Sequence, residues 1–388
     1  MHAGAFMYPH TVTTPVAISE SALTRRQSLK ECLRAARLVL ARPCTPRLFT
    51  VTRGIVMNRF VLAIAAAGLG AALLPSTACA EVSAPEAQVD ALEGVAGKHP
   101  RSRRSQAKGV CASGHFVGNA AGRELSSASV FSGEKVPLVA RFSVAGGNPK
   151  VSDHGKTARG LALRMRAANG EEWLSAMLST PMFFIAKLDQ FVPFMQARTP
   201  DPATGKPDPD KLKAFHEAHP ETMRQGAWLA KAPVPASYAT AGYFSLHAFE
   251  FVNAKGKSRF VRWQFVPEAG SLGLSDEQLK SMPDDFLVDE LRKRVATGPV
   301  TFEFKAQLAE LGDPLTDPSQ VWPDSRPLVT AGRLVIDQVE AEPGGACENI
   351  VFNPLVLPKG IKPSADPVLL ARTTAYIVSL ARRLSETR

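Results

Sequence analysis

Between residues 301 and 308 the chain alternates without a break, Phe302, Phe304, Ala306 and Leu308 against Thr301, Glu303, Lys305 and Gln307. A strand sends successive side chains to opposite faces, so this pattern fits a sheet with one face in a core and the other in water. Residues 138–144 repeat it, with Leu138, Ala140, Phe142 and Val144 on one side and Val139, Arg141 and Ser143 on the other. Segments 244–252 and 259–266 flank Asn253-Ala254-Lys255-Gly256, a hairpin signal, and 333–340 reads as a further strand. Several such strands predict an antiparallel barrel or sandwich. Helical stretches interrupt them at 209–231, at 284–296, and after Asp366-Pro367, where Asp as N-cap and Pro at the first helical position mark a helix start.

With 388 residues, 45% of them hydrophobic and 21% charged, the chain can bury at least one large core. Its net charge of +10 suggests nucleic acid until the distribution is read. Residues 1–80 hold nine basic groups against Glu20 and Glu31, 9 − 2 = +7, which leaves 10 − 7 = +3 for residues 81–388. A body so near neutral is not specialised for nucleic acid. Within the basic part, Met57-Asn58-Arg59, fifteen apolar or small residues from Phe60 to Leu74, and Ala78-Cys79-Ala80 read as a secretory signal peptide. The apolar run is short of the roughly 20 residues a membrane span needs. The expected organisation is therefore an over-extended N-terminal segment (1–56), a signal peptide (57–80), a linker and arm (81–100) and one functional domain (101–388), exported to the periplasm with no stable membrane span in the mature form. Cys111 and Cys347 remain in that body. In an oxidising compartment they can pair, or they can serve as two small buried hydrophobes; sequence leaves both open.

On the last helix Arg372, Tyr376 and Arg383 are four and seven residues apart, which at 100° per residue places them within about 60° of arc. An Arg one turn before a Tyr puts a fixed cation beside a phenol, and a nearby positive charge favours the phenolate, a ligand for ferric iron. The same spacing suits a core Tyr between two solvated arginines, and the helix alone does not choose.

The surroundings choose. Gln106-Ala107-Lys108-Gly109 with Gly114 and Phe116, Ala140-Arg141-Phe142-Ser143, Thr180-Pro181-Met182-Phe183-Phe184-Ile185, Glu348 to Pro354 with Leu357-Pro358, and Arg372-x-x-x-Tyr376 come in the order and rough spacing of one family. Over residues 95–386 the chain resembles the haem catalases, and among them the shorter, exported catalase-related peroxidases. The resemblance implies an α+β fold, an eight-stranded antiparallel β-barrel of catalase type with inserted and C-terminal helices. It implies haem b as cofactor, with Tyr376 as the axial iron ligand and Arg372 as the residue that keeps it ionised. By the same resemblance Arg103, Arg141 and Arg383 bind the propionates, Phe191 stacks on the porphyrin, and Val110 and Phe116 border the distal space. The implied partners are a small-molecule peroxide, hydrogen peroxide or an organic hydroperoxide, and an unknown electron donor; an oligomer is compatible with all of this.

Two catalytic positions depart from the family pattern. Gln106 stands where the family has its distal His, with Ser143 beside it, and Leu178 stands where it has Asn. A peroxidase needs a base to carry a proton from the near to the far peroxide oxygen, and an amide cannot accept it. Losing such a base typically costs on the order of 10²- to 10⁴-fold, so slow peroxide turnover is the expectation. Among the remaining histidines, His115 is a weak substitute, His216 and His219 read as solvated, and His247 reads as a hydrogen-bonded core residue. The competing readings are a haem protein without peroxidase turnover or one that rearranges organic hydroperoxides, and a barrel that binds no haem.

Overall fold

The structure is a computed structural model and describes residues 84–386. The segments 1–56 and 57–80 lie outside the described residues. The strands of the barrel and its edge are β1 (Gly109–Gly118), β2 (Lys135–Val144), β3 (Arg159–Arg166), β4 (Glu172–Leu178), β5 (Tyr243–Phe244), β6 (Phe249–Val252), β7 (Ser258–Pro267), β8 (Val300–Leu308) and β9 (Leu328–Glu340), with Ile361–Pro363 paired to β6 and a separate short pair, Val234–Pro235 with Gly273–Leu274. Antiparallel pairing runs β1-β2-β3-β4-β5-β7-β8-β9 and returns to β1, closing a barrel of eight strands. The strand expected over 244–252 is broken into β5 and β6, which follow one another along the same edge of β7. Leu246, at φ 67°, turns the chain between them, and the Ser245 hydroxyl accepts the Trp263 N–H at 3.1 Å in place of a ladder carbonyl.

The barrel interior holds the alternating residues read from the sequence: Leu138, Ala140, Phe142 and Val144 of β2, and Phe302, Phe304 and Ala306 of β8. Eight strands enclose just enough space for side chains, and aromatic rings fill it. Trp173 meets Trp263 edge-on with centroids 5.1 Å apart, and Phe116 meets Phe304 at 5.7 Å. Such pairs add about 0.5–1.5 kcal/mol each beyond area burial. Val110 and Phe116 belong to this interior, opposite Phe142 and Val136 in the ladder, so they do not border a distal space as the resemblance implied.

Helices face the outer side of β2–β4 across a cavity: α1 (Pro85–Ala96), α2 (Phe191–Ala197), α3 (Pro209–Ala218), α4 (Met223–Lys231) and the last helix, which becomes α6 once α5 (Phe286–Thr297), packed against β9, is counted. Helix α6 spans Arg372–Ser385. Part of the expected linker and arm is thus α1. Its sequence is too small and polar to announce a helix, but Pro85 at its start, Gly97 after its end and packing on α2 and α6 fix it. The buried Glu93 of α1 pairs with Arg104 at 2.7 Å and Arg382 at 3.1 Å. The expected 209–231 helix divides at His219-Pro220, because Pro lacks the N–H that a continuing helix needs. Asp366 caps the turn Pro367–Leu370, accepting from Val368 at 2.8 Å, as its sequence context predicts. Cys111 and Cys347 form a disulfide with Cα atoms 5.3 Å apart, which ties β1 to the segment after β9. Among the described residues no helix is long and apolar enough to cross a membrane.

Candidate functional site

Side chains that face away from the barrel core meet the helical cover around a cavity of about 1060 Å³. Gln106, Ser143, Arg103, Arg141, Phe191, Arg372, Tyr376 and Arg383 all line it, as does Leu178. Arg141 and Ser143 reach it because they are two apart on β2, on the face opposite Phe142. Small residues of β3 and β4, Gly160, Ala162 and Ala176, keep that wall low, and Phe184, Leu188 and Phe191 make the opposing surface apolar.

At one pole α6 presents Tyr376. Arg372 donates to its oxygen from Nε at 3.2 Å and also from Nη2, while its Nη1 is buried without a hydrogen-bond partner. Nearby, His247 Nδ1 lies 2.6 Å from the Asp366 carboxylate, and both side chains are buried. Burial pushes the His247 pKa down, outweighing the opposite pull of Asp366. The core reading of His247 holds, while the nearness of Asp366 could not be seen in a sequence that separates them by 119 residues.

At a second pole Gln106 takes the left-handed conformation, φ 55°. Its Oε1 accepts from the Ser143 hydroxyl at 2.9 Å, and Arg141 Nη1 donates to its main-chain carbonyl at 2.7 Å. Arg141 Nη2 donates to the Ala107 carbonyl at 3.1 Å, so one guanidinium fixes the turn that aims Gln106. Gly160, opposite Ser143 in the ladder, is required here: a Cβ would lie 2.5 Å from Ser143 Oγ and 2.7 Å from Gln106 Oε1. Leu178 is the next residue across, paired with Gly160.

At the third pole Arg103 donates from Nη1 to Ile350 O at 3.1 Å and from Nη2 to Cys347 O and Glu348 O at 2.9 and 3.0 Å. Its Nε is buried without a hydrogen bond, 3.9 Å from the Glu342 carboxylate. Burial first, then the charges of Arg141 and Arg383, pulls the Arg103 pKa to about 9. Burial and Arg141 lower Arg383 as well. Arg141 Nε is bonded to Glu342 at 2.9 and 3.1 Å. Sequence reasoning missed Glu342, whose only local signal is an acid in the segment before Cys347.

The outlying histidines sort themselves by position. His216, read as solvated, lines the cavity with Nδ1 2.8 Å from Thr222 Oγ1, and burial, with Arg198, lowers its pKa. His219 sits 3.2 Å from Gln190 and packs on Phe215 rather than standing free in solvent. His115 lies 3.7 Å from Asp337, outside the cavity lining.

Haem fits this donor set. Two buried guanidinium N–H groups lack partners at the phenol pole and at the arginine pole, three cations converge where a dianionic edge would lie, and the walls between suit a flat apolar ring.

A closed antiparallel barrel with a Tyr–Arg pair on a late helix and an arginine cluster defines a catalase-type protein. The sequence model of the catalase family matches residues 90–387, and the chain belongs to that family. It is 42% identical to a catalase-related peroxidase of Synechococcus elongatus, over 84% of this chain and 98% of that protein. It is 34% identical to one of Mycolicibacterium paratuberculosis, over 77% and 94%. The catalase of Sus scrofa is 28% identical over 70% of this chain but only 54% of its own length, so the chain spans about half of such longer catalases. The fold is similar to that of a fungal catalase, with TM-score 0.67 and 24% identity over 74% of this chain and 60% of that one.

Proposed function

We propose that this chain is a haem b peroxidase of the catalase-related type, reducing hydrogen peroxide or organic hydroperoxides with an external electron donor. The observation that carries the reading is the convergence of Arg372–Tyr376, Gln106–Ser143 and Arg103–Arg141–Arg383 on one cavity. Bound haem supplies the redox chemistry with peroxide; the chain holds it and sets its surroundings. Tyr376 would hold the iron, and two donors from Arg372 bear on its oxygen, an interaction that strengthens as that oxygen gains negative charge. Arg103, Arg141 and Arg383 would hold the carboxylates of the group, and Phe191 would supply an apolar face to it.

At the distal pole Gln106 is held by Ser143 and Arg141 and can orient a peroxide or a water through its amide N–H. It cannot take up a proton, and Leu178 adds no donor, so water must carry the proton between the peroxide oxygens. Turnover slower than that of a His-bearing relative follows. The same two residues favour a second reading, rearrangement of organic hydroperoxides, which needs an apolar distal space and no base. Export to the periplasm is part of the proposal. The signal-like pattern at 57–80 and the Cys111–Cys347 disulfide support it, since disulfides persist in oxidising compartments.

The test is the absorption spectrum of the purified protein before and after hydrogen peroxide, followed by assays with hydrogen peroxide and an organic hydroperoxide plus a reducing dye. A Soret band that responds to peroxide, with dye oxidation, is expected. Haem binding without dye oxidation, but with consumption of the organic hydroperoxide, favours rearrangement; a protein that takes up no haem refutes both.

A further inference from the structure

Glu342 belongs to none of the motifs that carry the resemblance and does not itself line the cavity, yet its carboxylate contacts two members of the arginine pole. Both its carboxylate oxygens accept from Arg141 Nε, at 2.9 and 3.1 Å, and one lies 3.9 Å from Arg103 Nε. Its side chain is only 15% exposed. The segment that carries it is pinned from both sides. The disulfide fastens Cys347 to Cys111, which faces Arg141 in the β1–β2 ladder, and the carbonyls of Cys347, Glu348 and Ile350 clasp Arg103. Glu342 therefore cannot drift away with a loose loop.

The charges give this placement a meaning. Arg103, Arg141 and Arg383 line the cavity with their charges close together, and burial first, then this mutual repulsion, lowers the pKa values of Arg103 and Arg383. The Glu342 carboxylate offsets part of that repulsion, acting on both Arg103 and Arg383. Arg141 also spends its Nη groups on the carbonyls of Gln106 and Ala107, so its Nε is the direction left for an anion, and Glu342 occupies it. Resting on the haem reading above, we propose that Glu342 is a built-in stand-in for a porphyrin carboxylate: it holds the arginine pole together in the unloaded chain, competes for Arg141 as the cofactor enters, and thereby limits haem affinity.

Titration of the full apoprotein with haemin, and separately with haemin dimethyl ester, followed at the Soret band, tests this. Glu342→Gln should lower the melting temperature of the apoprotein, because three cations lose their anion, and should bind haemin about tenfold more tightly, the scale of one charge-assisted contact. The affinity for the dimethyl ester, which has no carboxylates to compete, should stay within about twofold of the wild type. Should Glu342→Gln fail to fold, Glu342→Asp carries the test: the shorter side chain loses its paired contact with Arg141 and should tighten haemin binding selectively, in smaller measure. Haemin affinity that is unchanged or weakened, or a gain equal for haemin and its ester, overturns the inference while leaving wild-type haem binding intact. A wild-type chain that takes up neither porphyrin overturns the haem reading and this inference with it.

Discussion

Asp366 serves His247 and the helix cap at once: its Oδ2 lies 2.6 Å from His247 Nδ1, while its Oδ1 accepts the Val368 N–H at 2.8 Å. One buried carboxylate thus fastens the break between β5 and β6 to the turn that leads into α6, the helix of Arg372 and Tyr376. The barrel and the phenol pole share an anchor, and what weakens it should be felt at both.

Acid should weaken it. Burial holds the folded-state pKa of His247 below the ordinary value of about 6.5. Above that value His247 is neutral in both folded and unfolded chains and contributes no pH dependence. Below it the unfolded chain binds a proton that the folded chain refuses, so stability falls as pH falls. Depressed carboxylates such as Asp313, held down by Arg326, act in a lower window, below about 4. Melting temperatures measured from pH 7 to pH 5 should decline for the wild type and decline less steeply for His247→Gln, which melts lower at pH 7. Equal slopes for the two proteins would place the acid sensitivity elsewhere.

Tyr376→Phe should lose most bound haem or change its spectrum, because it removes the oxygen that Arg372 contacts. Tyr243 is the control. It is buried in the barrel core and donates to Tyr238 O at 2.8 Å, so Tyr243→Phe should cost roughly 0.5–1.5 kcal/mol of stability and leave haem content unchanged. Haem per chain and the Soret position, measured together with a melt, separate the two effects. A Tyr376→Phe protein with the wild-type Soret band and haem content refutes the ligand assignment.

The parts legible in the sequence are those where one local rule acts alone. Period-two alternation located β2 and β8, and Asp366-Pro367 located a helix start, because pleat and cap each leave a short-range signature. Helix α1 left only Pro85 and Gly97 at its ends, since Val89 and Ala91 become core only when α2 and α6 supply the other side. The cavity residues were legible only as a set in family order; Arg372 and Tyr376 alone fit a core Tyr equally well. Glu342 and Gly160 were invisible for a further reason. Their roles come from distances to residues on other strands, 2.9 Å to Arg141 and the space beside Ser143, and such closeness is made by register rather than spacing.

Removing the disulfide should loosen both the fold and the arginine pole. Cys111 and Cys347 are 236 residues apart in sequence, and a bridge across so long a loop typically contributes about 2–4 kcal/mol. Its partner segment carries the three carbonyls that hold Arg103. Cys111→Ser with Cys347→Ser should therefore unfold at lower denaturant and release haem faster to a haem-scavenging globin. The wild type should approach the same behaviour in strong reductant. A double variant as stable and as retentive as the wild type would mean that neighbouring contacts alone fix the segment.

The distal pole gives the most direct test of the chemistry. If the missing imidazole limits peroxide turnover, Gln106→His should raise peroxidase kcat/KM by at least about tenfold, a floor set below the 10²- to 10⁴-fold that a general base typically supplies. The site is prepared for the change. Position 106 already holds a side chain in the left-handed region, where His is better tolerated than most residues, and the Ser143 hydroxyl 2.9 Å from the Gln106 amide is placed to orient a ring nitrogen. Gly160 leaves the room, and Arg141 fixes the turn through the 106 carbonyl, which the substitution keeps. Leu178→Asn, paired with Gly160 on the next strand, should add a donor at the far side of the same space. Disproportionation of hydrogen peroxide runs through two successive peroxide steps, so it should respond more to the double variant than to either single one. Stopped-flow and steady-state assays on haem-normalised protein measure both quantities. A Gln106→His protein that binds haem normally yet turns over no faster would show that the pocket is shaped for other chemistry, and rearrangement of organic hydroperoxides would become the better account.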